Sequence, residues 1–146
     1  MDQTIQNFIE DKRLAVVGVS RRGNKFGNMA TKELRERGYQ VYVVHPEATD
    51  IDGEKCYPKL SSLQEKVDNL LVSVPSKQAA GVLQDASSAG IKNIWLQQGS
   101  ETNELLTQAG QLGLNVVSGK CILMYAPPVR SFHGFHRFVM KLIGQL

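Results

Sequence analysis

Cysteine is scarce in this chain of 146 residues: Cys56 and Cys121 are the only two. They are too few for a disulfide framework, and their spacing suits no zinc site, so a buried or merely available thiol is expected for both. Long apolar runs are missing too. Nothing approaches the roughly 20 residues that span a bilayer. The opening Met1-Asp2-Gln3-Thr4-Ile5 has no positively charged prelude to an apolar core, so a cytoplasmic protein without a targeting segment is expected. Like charges never run longer than Lys12-Arg13 or Arg21-Arg22, and the formal net charge is +3. That argues against general attraction to nucleic acid or to membranes. No Ser-His-Asp order, paired-carboxylate spacing or metal cluster can be assembled, and no catalytic residue or metal ligand is assigned. His133 and His136 stand one turn apart but lack a third ligand, which favours a solvated or capping role. Asp50, Asp52 and Glu54 read as a solvated loop face.

What is present is a regular cadence. Apolar, strand-like runs recur at 14–19, 39–44, 67–74, 93–96 and 114–117. Helical patterns fill 28–37, 76–89 and 101–112, each closed by a glycine, Gly38, Gly90 or Gly113, at the place of a left-handed cap. Strands that are apolar almost throughout, alternating with helices of about three turns, imply a parallel sheet covered on both faces. The expected fold is α/β, a doubly wound, Rossmann-like parallel sheet of five strands with the first strand central, forming a single domain over 1–146. Residues 47–60, rich in charge and carrying Gly53 and Pro58, read as a largely irregular connection that replaces one crossover helix. From about residue 130 a last helix places Phe132, Phe135, Val139, Leu142 and Leu146 on one stripe. That stripe is expected to cover the sheet or a second subunit, giving a homodimer or partner contact.

The first strand breaks at Gly18 into a glycine-rich basic loop that becomes a helix. Gly18 permits a tight turn, the helix offers unpaired N–H groups to an anion, and Arg21, Arg22 and Lys25 add positive charge. This is the pattern of a phosphate cradle. Gly18-x-Ser20-x-x-Gly23 only approximates the dinucleotide fingerprint, with Ser20 where a glycine would touch the pyrophosphate, and glycines serve many such turns for conformational reasons alone. An NAD site also needs a carboxylate at the end of the second strand, which here closes in His45-Pro46; Glu47 lies beyond the proline, a poor substitute. His45 faces a phosphate or adenosine edge, or else caps its own turn.

The order of motifs resembles the CoA-binding domain family. The resemblance is carried by 14–20, Lys25-Phe26-Gly27-Asn28, Gly38-Tyr39, Val44-His45-Pro46, Gly53, Tyr57 and Val74-Pro75, and it runs along most of the chain. That family includes stand-alone bacterial and archaeal proteins and the N-terminal domains of succinyl-CoA synthetase α subunits and ADP-forming acyl-CoA synthetases. The resemblance implies a pyrophosphate held by Ser20, Arg21, Arg22, Lys25, Gly27 and Asn28 beside Gly18. It also implies an adenosine half beside His45 and Pro46, and a pantetheine path along Ser73, Val74, Pro75 and Leu96, Gln97, Gln98, Gly99. Where the synthetases have an acidic turn after the fourth strand, this chain has Gln97-Gln98-Gly99, closer to the stand-alone members. It also ends before any phosphohistidine or nucleotide-grasping domain, so synthetase activity is not expected. Gly119-Lys120-Cys121 resembles the family's glycine-to-cysteine stretch, with a structural thiol favoured at Cys121. The resulting expectation is a non-catalytic binder, carrier or regulatory module for coenzyme A or an acyl-CoA. An NAD(P)-binding redox enzyme or sensor and a protein-interaction module with a degenerate nucleotide site remain the alternatives.

Overall fold

Strand β1 (Arg13–Val17) is the fourth of seven in a sheet ordered β3-β4-β2-β1-β5-β6-β7. The computed structural model describes residues 2–63 and 65–128; the expected helix from residue 130, with its aromatic stripe and His133 and His136, lies outside the described residues. From β1 the chain passes through α2 (Phe26–Glu36) to β2 (Gln40–Val44) on one side. It then returns past β1 to build β5 (Asn69–Val72), α3 (Ser76–Ser88), β6 (Asn93–Gln97), α4 (Asn103–Gln111) and β7 (Asn115–Lys120) on the other. β2, β1, β5, β6 and β7 pair in parallel throughout. Strand order therefore reverses between β1 and β5, leaving a crevice at their carboxyl ends.

Alternation along the strands divides the core. Leu14, Val16, Leu71 and Trp95 face α1 (Gln3–Glu10) and α2, whereas Ala15, Leu70, Val72, Ile94 and Leu96 face α3 and α4. Gly38, Gly90 and Gly113 end α2, α3 and α4 at φ of +95°, +78° and +71°, the left-handed conformation expected of them.

The strand count is seven, not five. The connection expected to be irregular contains a hairpin, β3 (Asp50–Ile51) and β4 (Glu54–Tyr57), whose second strand pairs in parallel with β2. Its turn is Asp52-Gly53, with φ of +54° and +79°, the pair of positive angles a two-residue turn matched to strand twist requires. Ile51 and Cys56 are the buried anchors. The sequence reading also missed α1, in which Asp2 Oδ1 accepts from Thr4 N at 2.7 Å and Ile5, Phe8 and Ile9 form the buried stripe. Phe8 meets Trp95 edge-on at 5.3 Å. No helix among the described residues is long and apolar enough to cross a membrane.

Two polar devices hold the frame. At the amino edge, Asn69, Asn93 and Asn115 sit in register at the starts of β5, β6 and β7. Asn115 Nδ2 donates to Asn93 Oδ1, Asn93 Nδ2 to Asn69 Oδ1 (both 3.0 Å), and Asn69 Nδ2 to the Phe8 carbonyl at 2.9 Å. Behind α2, Arg37 is 6 % exposed; its Nε donates to Glu33 Oε1 at 3.0 Å, and its Nη1 to the carbonyls of Leu123 (2.8 Å) and Ala126 (2.7 Å). Arg37 thus ties α2 to the one-turn 3-10 helix Ile122–Met124 that follows β7. Arg37→Met removes those donors and leaves the half-buried Glu33 carboxylate alone, so urea unfolding is expected to show a loss of about 3 kcal/mol. A loss below about 1 kcal/mol, the worth of one ordinary hydrogen bond, would show that the tie contributes little.

Candidate functional site

The carboxyl end of β1 is built on three backbone segments in contact. Gly18 has φ +124°, and a Cβ there would lie 2.1 Å from the Ser73 carbonyl oxygen, just past β5; a Cβ on Gly27 would lie 2.3 Å from the Gly18 carbonyl oxygen. Only glycine fits either place. The loop between them is held by side chains rather than by regular structure. Asn28 Oδ1 accepts from Ser20 N (2.9 Å) and Lys25 N (3.3 Å), and Asn28 Nδ2 donates to the Ser20 carbonyl at 2.8 Å. Ser20 Oγ accepts from Arg22 N at 3.0 Å and donates to Asn24 Oδ1 at 3.1 Å. Ser20, which stands where a fingerprint glycine would, therefore staples the turn.

This rigid loop carries Arg21, Arg22 and Lys25 outward, all exposed, around an open cleft of about 400 Å³ that also touches Val19 and His45. The N-cap of α2 is Lys25, whose side chain cannot accept a hydrogen bond, and that of α3 is Pro75; neither N-cap side chain caps its helix. α1 and α4 do, from Asp2 and from Thr102. The two helices that start at the crevice are thus the two whose first-turn N–H groups no capping side chain covers.

His45, after β2, is a turn-capping residue. Its Nδ1 accepts from Glu47 N (3.1 Å) and Ala48 N (3.0 Å), which puts any ring proton on Nε2. Pro46 is exposed beside it. Glu47, discounted on sequence for lying past the proline, is brought back by this turn to place Oε2 2.8 Å from Arg21 Nη2, with both side chains mostly exposed.

After β5 and β6 the predicted positions separate into buried and open ones. Ser73 is buried and Val74 packs in the α3 and α4 core, while Pro75 is exposed. Leu96 is wholly buried in that same core and Gln97 is wholly buried, its Oε1 accepting from Ile122 N at 3.2 Å; Gln98 is half-buried and Gly99 exposed. Only the backbone and Gln98 of that turn are therefore accessible. The hydroxyls of Ser73 and of Ser100, a residue not singled out on sequence, are buried and have no hydrogen-bond partner among the described residues. A buried polar atom without a partner is costly, and these two lie just beyond the carboxyl ends of adjacent strands. A second cleft, about 500 Å³, runs between α2 and the β3–β4 hairpin past Thr31 and Ile51.

Basic side chains, uncapped helix starts and unsatisfied hydroxyls along one edge suit a long, mostly polar ligand with phosphate at the β1 end. Neither thiol is tuned for attack. Burial pushes both Cys56 and Cys121 up from the usual thiol range, the Gln97 amide opposing this only partly at Cys121. A raised pKa means less thiolate at a given pH, so iodoacetamide should label the native protein more slowly than the urea-unfolded one near neutral pH, with the rate still rising at pH values where a free thiol has levelled off. Gly27→Ala should lower stability by about 2 kcal/mol in denaturant melts, since backbone must move to admit the methyl group.

The chain matches the CoA binding domain family over residues 12–127. It is 30 % identical over 130 residues to acetate–CoA ligase (ADP-forming) I of Archaeoglobus fulgidus, a match that takes in 82 % of this chain and 19 % of the ligase. It is 29 % identical over 111 residues to the uncharacterized protein YneT of Bacillus subtilis, covering 76 % of this chain and 82 % of that one. Among solved structures, a hypothetical protein from Pyrococcus horikoshii OT3 superposes with a TM-score of 0.79 at 27 % identity, over 90 % of this chain and 93 % of that one. The family match begins at the residue before β1 and runs past the 3-10 turn that Arg37 holds, and the chain accordingly belongs to the CoA-binding domain family.

Proposed function

We propose that this protein binds coenzyme A or an acyl-CoA along the carboxyl edge of its sheet, as a non-catalytic binder, carrier or regulatory module of the cytoplasm. The observation that carries the reading is the β1–α2 loop: three exposed cations on a turn locked by Asn28, ahead of a helix whose N-cap side chain does not cap it. Arg22 and Lys25, with no ion-pair partner among the described residues, and the first N–H groups of α2 would hold the pyrophosphate. The His45-Pro46 turn would flank the adenosine half. The Ser73 hydroxyl, the turn at Gln98 and Gly99, and the Ser100 hydroxyl would meet the pantetheine amides, where backbone and hydroxyl groups suffice.

Bound CoA supplies a thiol able to carry acyl groups as thioesters; the residues of this chain bind and orient it. Two observations favour a binding role over chemistry at the site. The thiols are buried and pushed up from the usual range, which leaves little thiolate for covalent chemistry. The first carboxylate after β2 in sequence, Glu47, is paired with Arg21 instead of standing free for ribose hydroxyls, which disfavours NAD.

Isothermal titration of nucleotide-free protein tests the reading. Saturable CoA binding is expected, with NADH and NADPH silent. The double variant Arg21→Ala/Arg22→Ala loses two charge-assisted contacts of about 1.5 kcal/mol each, so affinity should fall about 100-fold while the melting temperature is preserved. Unchanged affinity in that variant would remove the assigned site, and a response to NADPH alone would make a redox role the better reading.

A further inference from the structure

Arg21 differs from its two basic neighbours in where it reaches. Arg22 and Lys25 line the same cleft without an ion pair among the described residues. Arg21 crosses the cleft to the turn after β2, where its Nη2 lies 2.8 Å from Glu47 Oε2. That turn is held in place: His45 Nδ1 receives both the Glu47 and the Ala48 N–H, and His45 N donates to the Tyr57 carbonyl at 2.9 Å, fastening the turn to β4. The Glu47 carboxylate is thus presented to Arg21 at a defined position and not by a wandering loop. Yet the pair is solvent-exposed, with side-chain exposures of 60 % and 70 %. Exposed pairs of this kind add little to stability. The arrangement reads more naturally as an anion seat with a weak, built-in occupant.

We infer that Arg21 reads a terminal phosphomonoester at the adenosine end of the ligand, the 3′-phosphate of CoA, and that Glu47 competes with that phosphate for the guanidinium. The inference rests on the proposed CoA site and assigns its specificity. A phosphomonoester near neutral pH carries close to two charges and three acceptor oxygens, and it displaces a single exposed carboxylate from an arginine. A pyrophosphate oxygen in a diester carries one charge and is served by Arg22, Lys25 and the start of α2. A ligand lacking the monoester leaves Arg21 on Glu47 and gains nothing from it. Glu47 therefore tempers the preference: it competes with the monoester and so weakens CoA at this seat, while a ligand without the monoester is untouched by the competition.

The test is titration of CoA and of 3′-dephospho-CoA against wild type, Arg21→Ala, Arg22→Ala and Glu47→Gln. Wild type should prefer CoA about 10-fold, the scale of one charge-assisted pair. Arg21→Ala should bring the ratio of the two affinities close to one, whereas Arg22→Ala should weaken both ligands and keep the ratio. Glu47→Gln should tighten CoA several-fold and more than it tightens 3′-dephospho-CoA. A ratio unchanged in Arg21→Ala, or weaker CoA binding in Glu47→Gln, which would make Glu47 a support for Arg21, overturns the inference and leaves the CoA site standing. Binding of neither ligand by wild type overturns the site itself and the inference with it.

Discussion

The close approach of three stretches of backbone at the carboxyl end of β1 is the constraint on which the rest of this architecture depends. Gly18 lies against the Ser73 carbonyl and Gly27 against the Gly18 carbonyl, so the start of α2, the end of β1 and the end of β5 touch without intervening side chains. A side chain at Gly27 would push α2 away from the end of β1, and one at Gly18 would force the end of β1 off Ser73. With α2 seated there, Asn28 can reach back to Ser20, and the basic loop becomes a fixed object. The shape of the crevice follows from that contact, and the charges merely populate it.

Where the reading from sequence succeeded, a physical signal was strong and local. Buried parallel strands are apolar on both faces, so the runs 67–74 and 93–96, which hold β5 and most of β6, stand out along the chain, and Gly38, Gly90 and Gly113 mark helix ends because only glycine takes that conformation cheaply. Where it failed, the signal was short or distributed. The hairpin has strands of two and four residues, half of them charged, and charge outweighed the one informative dipeptide, Asp52-Gly53. α1 was legible in principle from Asp2 and the Ile5, Phe8, Ile9 spacing, but it precedes the strong signal of β1 and drew no notice.

The site shows the same division. Ser20, Arg21, Arg22, Lys25, Gly27 and Asn28 fall together because they are neighbours in sequence, and the turn after one strand can be placed from the strand alone. Contacts between loops cannot be placed that way. Glu47 meets Arg21 across 26 residues, and that meeting depends on a histidine accepting two backbone N–H groups. Leu96 and Gln97 show a different limit: the end of β6 is at the edge in topology, yet its side chains are buried. The position in the fold was legible, and the direction was not. The buried hydroxyls of Ser73 and Ser100 become visible only when every polar neighbour can be counted.

The asparagine ladder across β5, β6 and β7 gives the sheet two chemically unlike rims. Along the amino rim each amide is matched to the next and the row ends on the Phe8 carbonyl, so polar groups there are mutually satisfied. Along the carboxyl rim hydroxyls are left open and helix starts are uncovered. Substitutions at the proposed ligand rim lie a full strand length from the hydrogen bonds that register the other. Such a separation lets one rim change without eroding the scaffold, which suits a fold matched both within a ligase of which it covers 19 % and in a relative of which it covers 82 %.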